Sequence, residues 1–179
     1  MLATRRAVPA EDDDQWAYEL NWGGLRAIAH IDGGRVRLQG AQDLIAWFPE
    51  IRPLGPALAP IEAVLDGELV AFEGPRPETR LDRRPGAKTA NVHYLIYDLL
   101  WLEGHATTEQ IGYAQRRELL DGLAVAGEHW QTPPYFPGGG KFAREAARAQ
   151  GLPAIVAKRL DSPYLPGVRS DLWRLIPAG

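Results

Sequence analysis

The chain contains no cysteine, which removes disulfides, thiolate metal sites and cysteine nucleophiles from consideration. Lysine is almost as scarce. Lys88, Lys141 and Lys158 are the only lysines among twenty basic residues, and the heavy use of arginine is what a GC-rich genome produces. Chemistry that needs a side-chain primary amine therefore has three candidates. Long apolar runs are missing as well: none approaches the roughly 20 residues of a membrane span. The N-terminus carries an Arg5-Arg6 pair with no apolar stretch behind it, so no secretory signal is expected. Excess positive charge is also absent, the formal net charge being −3. That argues against tight, sequence-independent gripping of DNA, which draws on phosphate neutralisation. A soluble, cytoplasmic protein is expected, with no membrane partner.

What is present suits one compact core: 179 residues, 45% of them hydrophobic. Glycine and proline punctuate the chain without forming a low-complexity tract. Residues 1–14 read as a polar N-terminal segment in a loop conformation, and 15–179 as a single domain. Trp16 to Trp22 alternates as a half-buried strand does, Gly23-Gly24 breaks it, and Leu25 to Ile31 alternates again. Asp32-Gly33-Gly34 then turns the chain into Arg35 to Leu38, a hairpin signal. A helix is expected over Asp43 to Phe48. Ile61 to Phe72 reads as two short strands around Asp66-Gly67-Glu68, and Glu73 to Asn91 as a charged surface loop. Val92 to Leu102 opens as a buried strand ending near Asp98. Tyr113 to Leu123 has helical periodicity, with Arg116, Arg117 and Glu118 on its wet face. Lys141 to Gln150 is an alanine-rich helix stopped by Gly151. Ile155 to Arg159 and Leu172 to Ile176 are the last strands. Strands outnumber helices and come as hairpins, which fits an α+β fold with mainly antiparallel sheets.

Five short segments in a fixed order carry a resemblance. Tyr18-Glu19-Leu20-Asn21-Trp22-Gly23-Gly24-Leu25-Arg26 resembles the first nucleotidyltransferase motif, written in that family as lysine, any residue, aspartate, glycine, any residue, arginine. Leu65-Asp66-Gly67-Glu68-Leu69 resembles the acidic third motif, followed by the aromatic-acidic pair Tyr97-Asp98. Ile155-Val156-Ala157-Lys158 resembles the fourth, and Trp173-Arg174-Leu175-Ile176 sits where the fifth belongs. Together with Val92 to Gly104, Trp130 to Gly140 and Val156 to Tyr164, they make the chain similar to the adenylation domain of ATP-dependent DNA ligases of the bacterial end-joining type. The resemblance implies an ATP-grasp-like fold of two largely antiparallel sheets flanked by helices. It also implies a chemistry: a lysine amine attacks the α-phosphate of ATP, AMP moves to a DNA 5′-phosphate, and the 3′-hydroxyl displaces it. Carboxylates hold divalent metal and basic side chains cradle phosphate.

Against that pattern the key positions have changed. Asn21 stands in place of the nucleophilic lysine. An amide nitrogen, its lone pair delocalised, is a very poor nucleophile, and the side chain is shorter. Gly23 replaces the motif's aspartate. Gln39-Gly40-Ala41-Gln42 stands where serine, arginine and asparagine are expected. Pro153-Ala154 replaces a glutamate and glycine, and Leu175 and Pro177 replace two phosphate-contacting lysines. The chain ends at Gly179, so no OB-fold domain is expected after the fifth motif.

The survivors define the expected site. Under the resemblance, Arg26, Glu68, Tyr97 and Lys158 form a residual nucleotide pocket, with Tyr97 stacking on adenine and Lys158 on phosphate. Asp66, Glu68 and Asp98 are the metal candidates. The competing reading makes all of them fold determinants, with Asp66-Gly67-Glu68 a tight connection between strands. The histidines (His30, His93, His105, His129) show no ligand spacing. Gly138-Gly139-Gly140 reads as a turn more than an anion cradle, and most tryptophans as core. The expected function is a degenerate ligase-like adenylation domain without catalysis, its ATP and magnesium binding weak or lost. It would be kept as an interaction module for repair proteins or DNA ends, and no oligomeric state is assigned. The alternative is an active ATP-dependent nucleotidyltransferase using an unusual nucleophile or a partner-supplied site, with Lys158 the first lysine to consider.

Overall fold

The computed structural model describes residues 1–8, 10–40, 43–73, 76–78 and 91–179, and the backbone alone for 10, 11, 73 and 76–78. Among these residues the chain order is β1 (Leu2–Arg5), β2 (Trp16–Asn21), β3 (Leu25–Asp32), β4 (Arg35–Gln39), α1 (Leu54–Leu58), β5 (Ala63–Glu73), β6 (Arg76–Glu78), β7 (Asn91–Leu102), β8 (His105–Ala106), α2 (Tyr113–Gly122), β9 (Ala126–Gly127), β10 (Trp130–Gln131), β11 (Phe136–Pro137), α3 (Gly140–Ala149), β12 (Ala154–Arg159) and β13 (Arg169–Pro177). They fall into two compact units. The first comprises Met1–Gly23, Thr108–Gln115 and Pro134–Gly179; the second comprises Gly24–Thr107 and Arg116–Pro133.

The first unit is built on a five-stranded sheet in the order β1-β13-β12-β2-β11. Only β1 and β13 run parallel; the other neighbours are antiparallel. Strand alternation sends Trp16, Tyr18 and Leu20 to one face, where they pack with Ile155, Ile176 and the α3 residues Ala143 and Ala147. Small residues at these two helix positions let α3 lie close to the sheet. The expected N-terminal loop is instead an edge strand: Leu2–Arg5 pairs with β13 and Met1 is buried. Its pairing partner lies more than 160 residues away, so nothing local announces it.

The second unit is a mixed sheet in the order β4-β3-β5-β7-β10-β9, with β6 on β5 and β8 on β7. β10 joins β7 in parallel and the rest pair antiparallel. The expected hairpin is present, Asp32 pairing with Arg35 while Gly33 and Gly34 both take positive φ, which only a two-residue turn of this hand requires. Its core joins Leu65, Leu69, Tyr94, Ile96 and Leu99 of the central strands to Phe48, Ile51 and Leu54.

Four local expectations change here. Residues 43–48 form one hydrogen-bonded turn and no helix: Phe48 N–H reaches Leu44 O at 3.0 Å and Pro49 follows. Asp66-Gly67-Glu68 is no connection between strands. It lies inside one eleven-residue strand, β5, whose register against β7 shifts between Asp66 and Gly67. β7 runs past Asp98 to Leu102. Of the expected loop 73–91, Arg76–Glu78 forms β6 and most of the rest, with Lys88, lies outside the described residues, as do Ala41 and Gln42. The two-sheet α+β architecture holds, with sheets largely antiparallel and few helices. No helix among the described residues is long and apolar enough to cross a membrane.

Candidate functional site

In the first unit, β2 presents Ala17, Glu19 and Asn21 on the sheet face opposite α3. Strand register fixes what stands beside them. Asn21 pairs with Ala154, which pairs in turn with Pro177, while Glu19 pairs with Val156 and Val156 with Leu175. One row across three strands therefore consists of Asn21, Ala154 and Pro177, all positions where the first, fourth and fifth motifs have lost their expected residues. No side chain in that row carries a charge. Asn21 Oδ1 accepts the Gly23 N–H at 3.3 Å, a local turn contact, and Gly23 takes a positive φ.

Further along the same face stands Lys158, opposite Ala17 and Trp173. Its ammonium lies 2.7 Å from Glu19 Oε2, each side chain being only 4% exposed. It also lies 4.3 Å from the centre of the Trp173 ring and 4.7 Å from that of Tyr113. Tyr113 O–H donates to the other Glu19 oxygen at 2.5 Å, and Trp173 Nε1 donates to Ser162 Oγ at 3.3 Å. Such a buried pair tolerates the loss of neither partner, and the two ring faces add cation–π attraction. The lysine expected to meet phosphate is thus committed to a carboxylate of its own sheet.

In the second unit the surviving motif residues stand together and are paired. Arg26 grips Asp66 through two hydrogen bonds, Nε to Oδ1 at 2.9 Å and Nη2 to Oδ2 at 2.6 Å. The guanidinium is 40% exposed and the carboxylate 7%. Glu68 sits across from Arg26 in the ladder, accepting the Gly24 N–H at 2.5 Å and the Tyr97 O–H at 3.3 Å. Gly67, between the two acids, is held to glycine by crowding. A Cβ there would lie 2.6 Å from the Tyr94 ring and closer still to the Leu95 carbonyl oxygen. The Tyr94 hydroxyl in turn lies 3.0 Å from Ala27 O and 3.1 Å from Leu65 O, sharing its proton between β3 and β5.

Asp98 is ion-paired within the fold. Both its oxygens accept from Arg116, at 2.7 and 3.0 Å, and both side chains are fully buried. Arg116 and Arg117 were expected on the wet face of α2 and are instead among the largest buried side chains, Arg117 reaching Asp121 at 3.0 Å and the Pro133 carbonyl. Helical periodicity missed this because Asp98 lies eighteen residues upstream. Among the described residues no group of three or more histidine or acidic side chains is arranged to hold a metal ion, so Asp66, Glu68 and Asp98 do not gather into such a set. Glu19, Tyr113 and Trp173 were not singled out from the sequence, although a glutamate alternating with core residues in a strand is a detectable signal.

The remaining motifs resolve simply. Gly138 turns with positive φ, and the first amide of α3, Gly140 N–H, points at Asp13 Oδ2, 3.4 Å away, so the protein's own carboxylate fills the suspected anion cradle. His93 and His129 meet across β7 and the start of β10, ring centres 5.8 Å apart. Burial, and then the neighbouring His129, push the His93 pKa below its ordinary value. Trp16, Trp130 and Trp173 are buried.

Comparison with known proteins places this geometry. Residues 1–175 match the family described as ATP dependent DNA ligase domain. The chain is 35% identical over 175 residues to the multifunctional non-homologous end joining DNA repair protein LigD of Mycobacterium tuberculosis, covering 97% of this chain and 23% of that protein. It superposes on the ligase domain of M. tuberculosis LigD with a TM-score of 0.85 at 35% identity, covering 97% of this chain and 57% of that one. A mycobacterial DNA ligase D complexed with ATP and MES gives 0.83 at 34% identity, over 98% of this chain and 58% of that one. The chain thus spans about a quarter of that curated relative and over half of the solved domains.

Proposed function

The chain belongs to the ATP dependent DNA ligase domain family, and from that premise we propose that it is a degenerate adenylation domain that forms no covalent AMP intermediate. The observation that carries the reading is the uncharged row Asn21–Ala154–Pro177, in which Asn21 stands where the resemblance implies the nucleophilic lysine. An amide at Asn21 supplies no nucleophilic lone pair, and Lys158, the amine on the same face, is buried against Glu19. Attack by Lys158 on a phosphorus would require separating that pair and leaving the Glu19 carboxylate buried beside Tyr113, at a cost of several kcal/mol.

Residues 15–179 act in this reading as one adenylation-like domain made of both units. The group it retains for ligand contact is the half-open Arg26–Asp66 pair with Glu68 and Tyr97; Arg26 is the member open enough to meet a ribose or phosphate. ATP binding is then non-covalent and weak or lost, and among the described residues Asp66, Glu68 and Asp98 form no gathered set for magnesium. The named relatives act in end joining and DNA repair, and this chain takes the same setting as a cytoplasmic interaction module for repair proteins or DNA ends.

Intact-mass spectrometry under denaturing and native conditions, with ATP and magnesium, tests the proposal. The denatured protein should carry no AMP increment, while the native spectrum shows either bare protein or a dissociable ATP complex. A covalent AMP increment in the denatured spectrum would overturn the reading and favour the alternative of an unusual nucleophile, to be located by peptide mapping with Lys158 first.

A further inference from the structure

The face of the first sheet that packs against α3 holds a cavity that the ligase-family reading does not use. It measures about 370 Å³, towards the small end of pockets that take small molecules. Ile155 and Ile176 form part of its floor, and Tyr18 closes one side. Three cations line it from a single helix: Lys141, Arg144 and Arg148, spaced so that they share one face of α3. The side chains of Lys141 and Arg144 form no ion pair or hydrogen bond among the described residues. Arg148 is held in place by its Nε, which donates to the Ala178 carbonyl; its two terminal nitrogens make no such bond among the described residues. A fixed guanidinium with its outer fork uncommitted is suited to two-point capture of an oxyanion.

Two carboxylates also line the cavity, Asp13 and Glu145. Asp13 is already engaged, accepting from the Tyr18 hydroxyl and facing the Gly140 N–H. Burial, and then Asp13, push the Tyr18 pKa well above the ordinary phenol value, so the phenol stays neutral and keeps its proton on that bond. The charge facing the cavity is therefore three cations against Glu145 and an engaged Asp13. We propose that this cavity binds a phosphomonoester of nucleotide size, its phosphate held by Lys141, Arg144 and Arg148 and its body lying on the apolar floor. A phosphomonoester matches the excess of positive charge better than a carboxylate because it carries up to two negative charges near neutral pH. The volume exceeds what a bare phosphate fills. A free nucleotide and the phosphorylated end of a nucleic-acid strand present the same group, and the test separates them.

Side-chain Nε–Hε resonances of Arg144 and Arg148, with the Gly140 amide, report on the site in ¹⁵N-labelled full chain. Titration with AMP should shift all three saturably; adenosine should leave them unmoved, and inorganic phosphate should shift them at higher concentration. The exposed pair Lys141→Ala/Arg144→Ala should weaken AMP binding by about tenfold or more, whereas Arg37→Ala on β4 should not change it. Glu68→Gln, in the nucleotide pocket of the proposed function, should also leave the α3 response intact, so failure of that pocket and failure of this one are distinguishable. A 5′-phosphorylated oligonucleotide binding more tightly than AMP, with its 5′-hydroxyl counterpart silent, identifies a strand end as the source; AMP binding at least as tightly identifies a free nucleotide. The proposal fails if no phosphorylated probe moves these resonances. It fails equally if adenosine moves them as AMP does, if Lys141→Ala/Arg144→Ala leaves AMP affinity unchanged, or if Glu68→Gln abolishes the response.

Discussion

The two units differ in which motif residues they hold. In the first, the motif positions in and beside β2, β12 and β13 have changed: Asn21, Gly23, Pro153, Ala154, Leu175 and Pro177 carry no charge where the resemblance implies a charged residue at most of them. In the second, Arg26, Asp66, Glu68, Tyr97 and Asp98 all survive. The difference follows what each residue does for the fold. Asp98 neutralises the buried Arg116, Asp66 ties Arg26 across two strands, and Glu68 receives the Gly24 amide. Lys158, the exception in the first unit, is equally bound to its fold through Glu19. The retained acids Asp66, Glu68 and Asp98, and with them Lys158, each have a partner within the fold. Survival of a motif residue is therefore poor evidence of a working site unless its bonds have been counted.

The comparison breaks most readily at the buried pairs. Arg116→Met should cost about 3–5 kcal/mol in urea unfolding because it leaves Asp98 buried without its cation, and Lys158→Met should cost a similar amount by stranding Glu19. The double variant Lys158→Met/Glu19→Gln should recover most of the second loss. A cost below about 1 kcal/mol for either single change, the range of an exposed pair, would show that these charges do not serve the fold. Gly67→Ala should cost about 1–3 kcal/mol through overpacking against Tyr94. A smaller effect follows from the depressed pKa of His93. Above its ordinary value of 6.5, folded and unfolded chains both hold it neutral. As pH falls below 6.5 the unfolded chain takes the proton first, so stability should decline until the folded-state value is passed. Chemical denaturation of His93→Phe at pH 7.5 and 5.5 should show a weaker acid-side decline than the parent. Smallest of all, Asn21→Ala should change stability by about 0.5 kcal/mol or less, because the changed row has no load in the fold.

Much of this architecture was legible in the residues. Alternation located β2 and β3, Asp32-Gly33-Gly34 located the hairpin, and the ordered motifs located the family. What escaped notice depended on partners distant in sequence. The β1 edge strand exists only through β13, and Arg116 looked solvent-facing because periodicity weighs neighbours and cannot see Asp98. Asp66-Gly67-Glu68 resembled a turn because glycine between acids usually marks one, whereas here it makes room for Tyr94. The commitment of Lys158 needed Glu19, Tyr113 and Trp173 to be brought around it from two strands and a helix, which only the folded chain reveals.

In the proposed reading, the loss of adenylation is spread over a row of positions and does not rest on Asn21 alone. Returning the amine tests it most directly: Asn21→Lys, incubated with magnesium and α-labelled ATP, then denatured and resolved on a gel. No protein-bound label beyond that of the parent is expected, because Ala154, Leu175 and Pro177 still offer no charge and Lys158 stays on Glu19. Efficient self-labelling of Asn21→Lys at the introduced lysine would contradict it, and would mean that the rest of the site still binds and activates ATP.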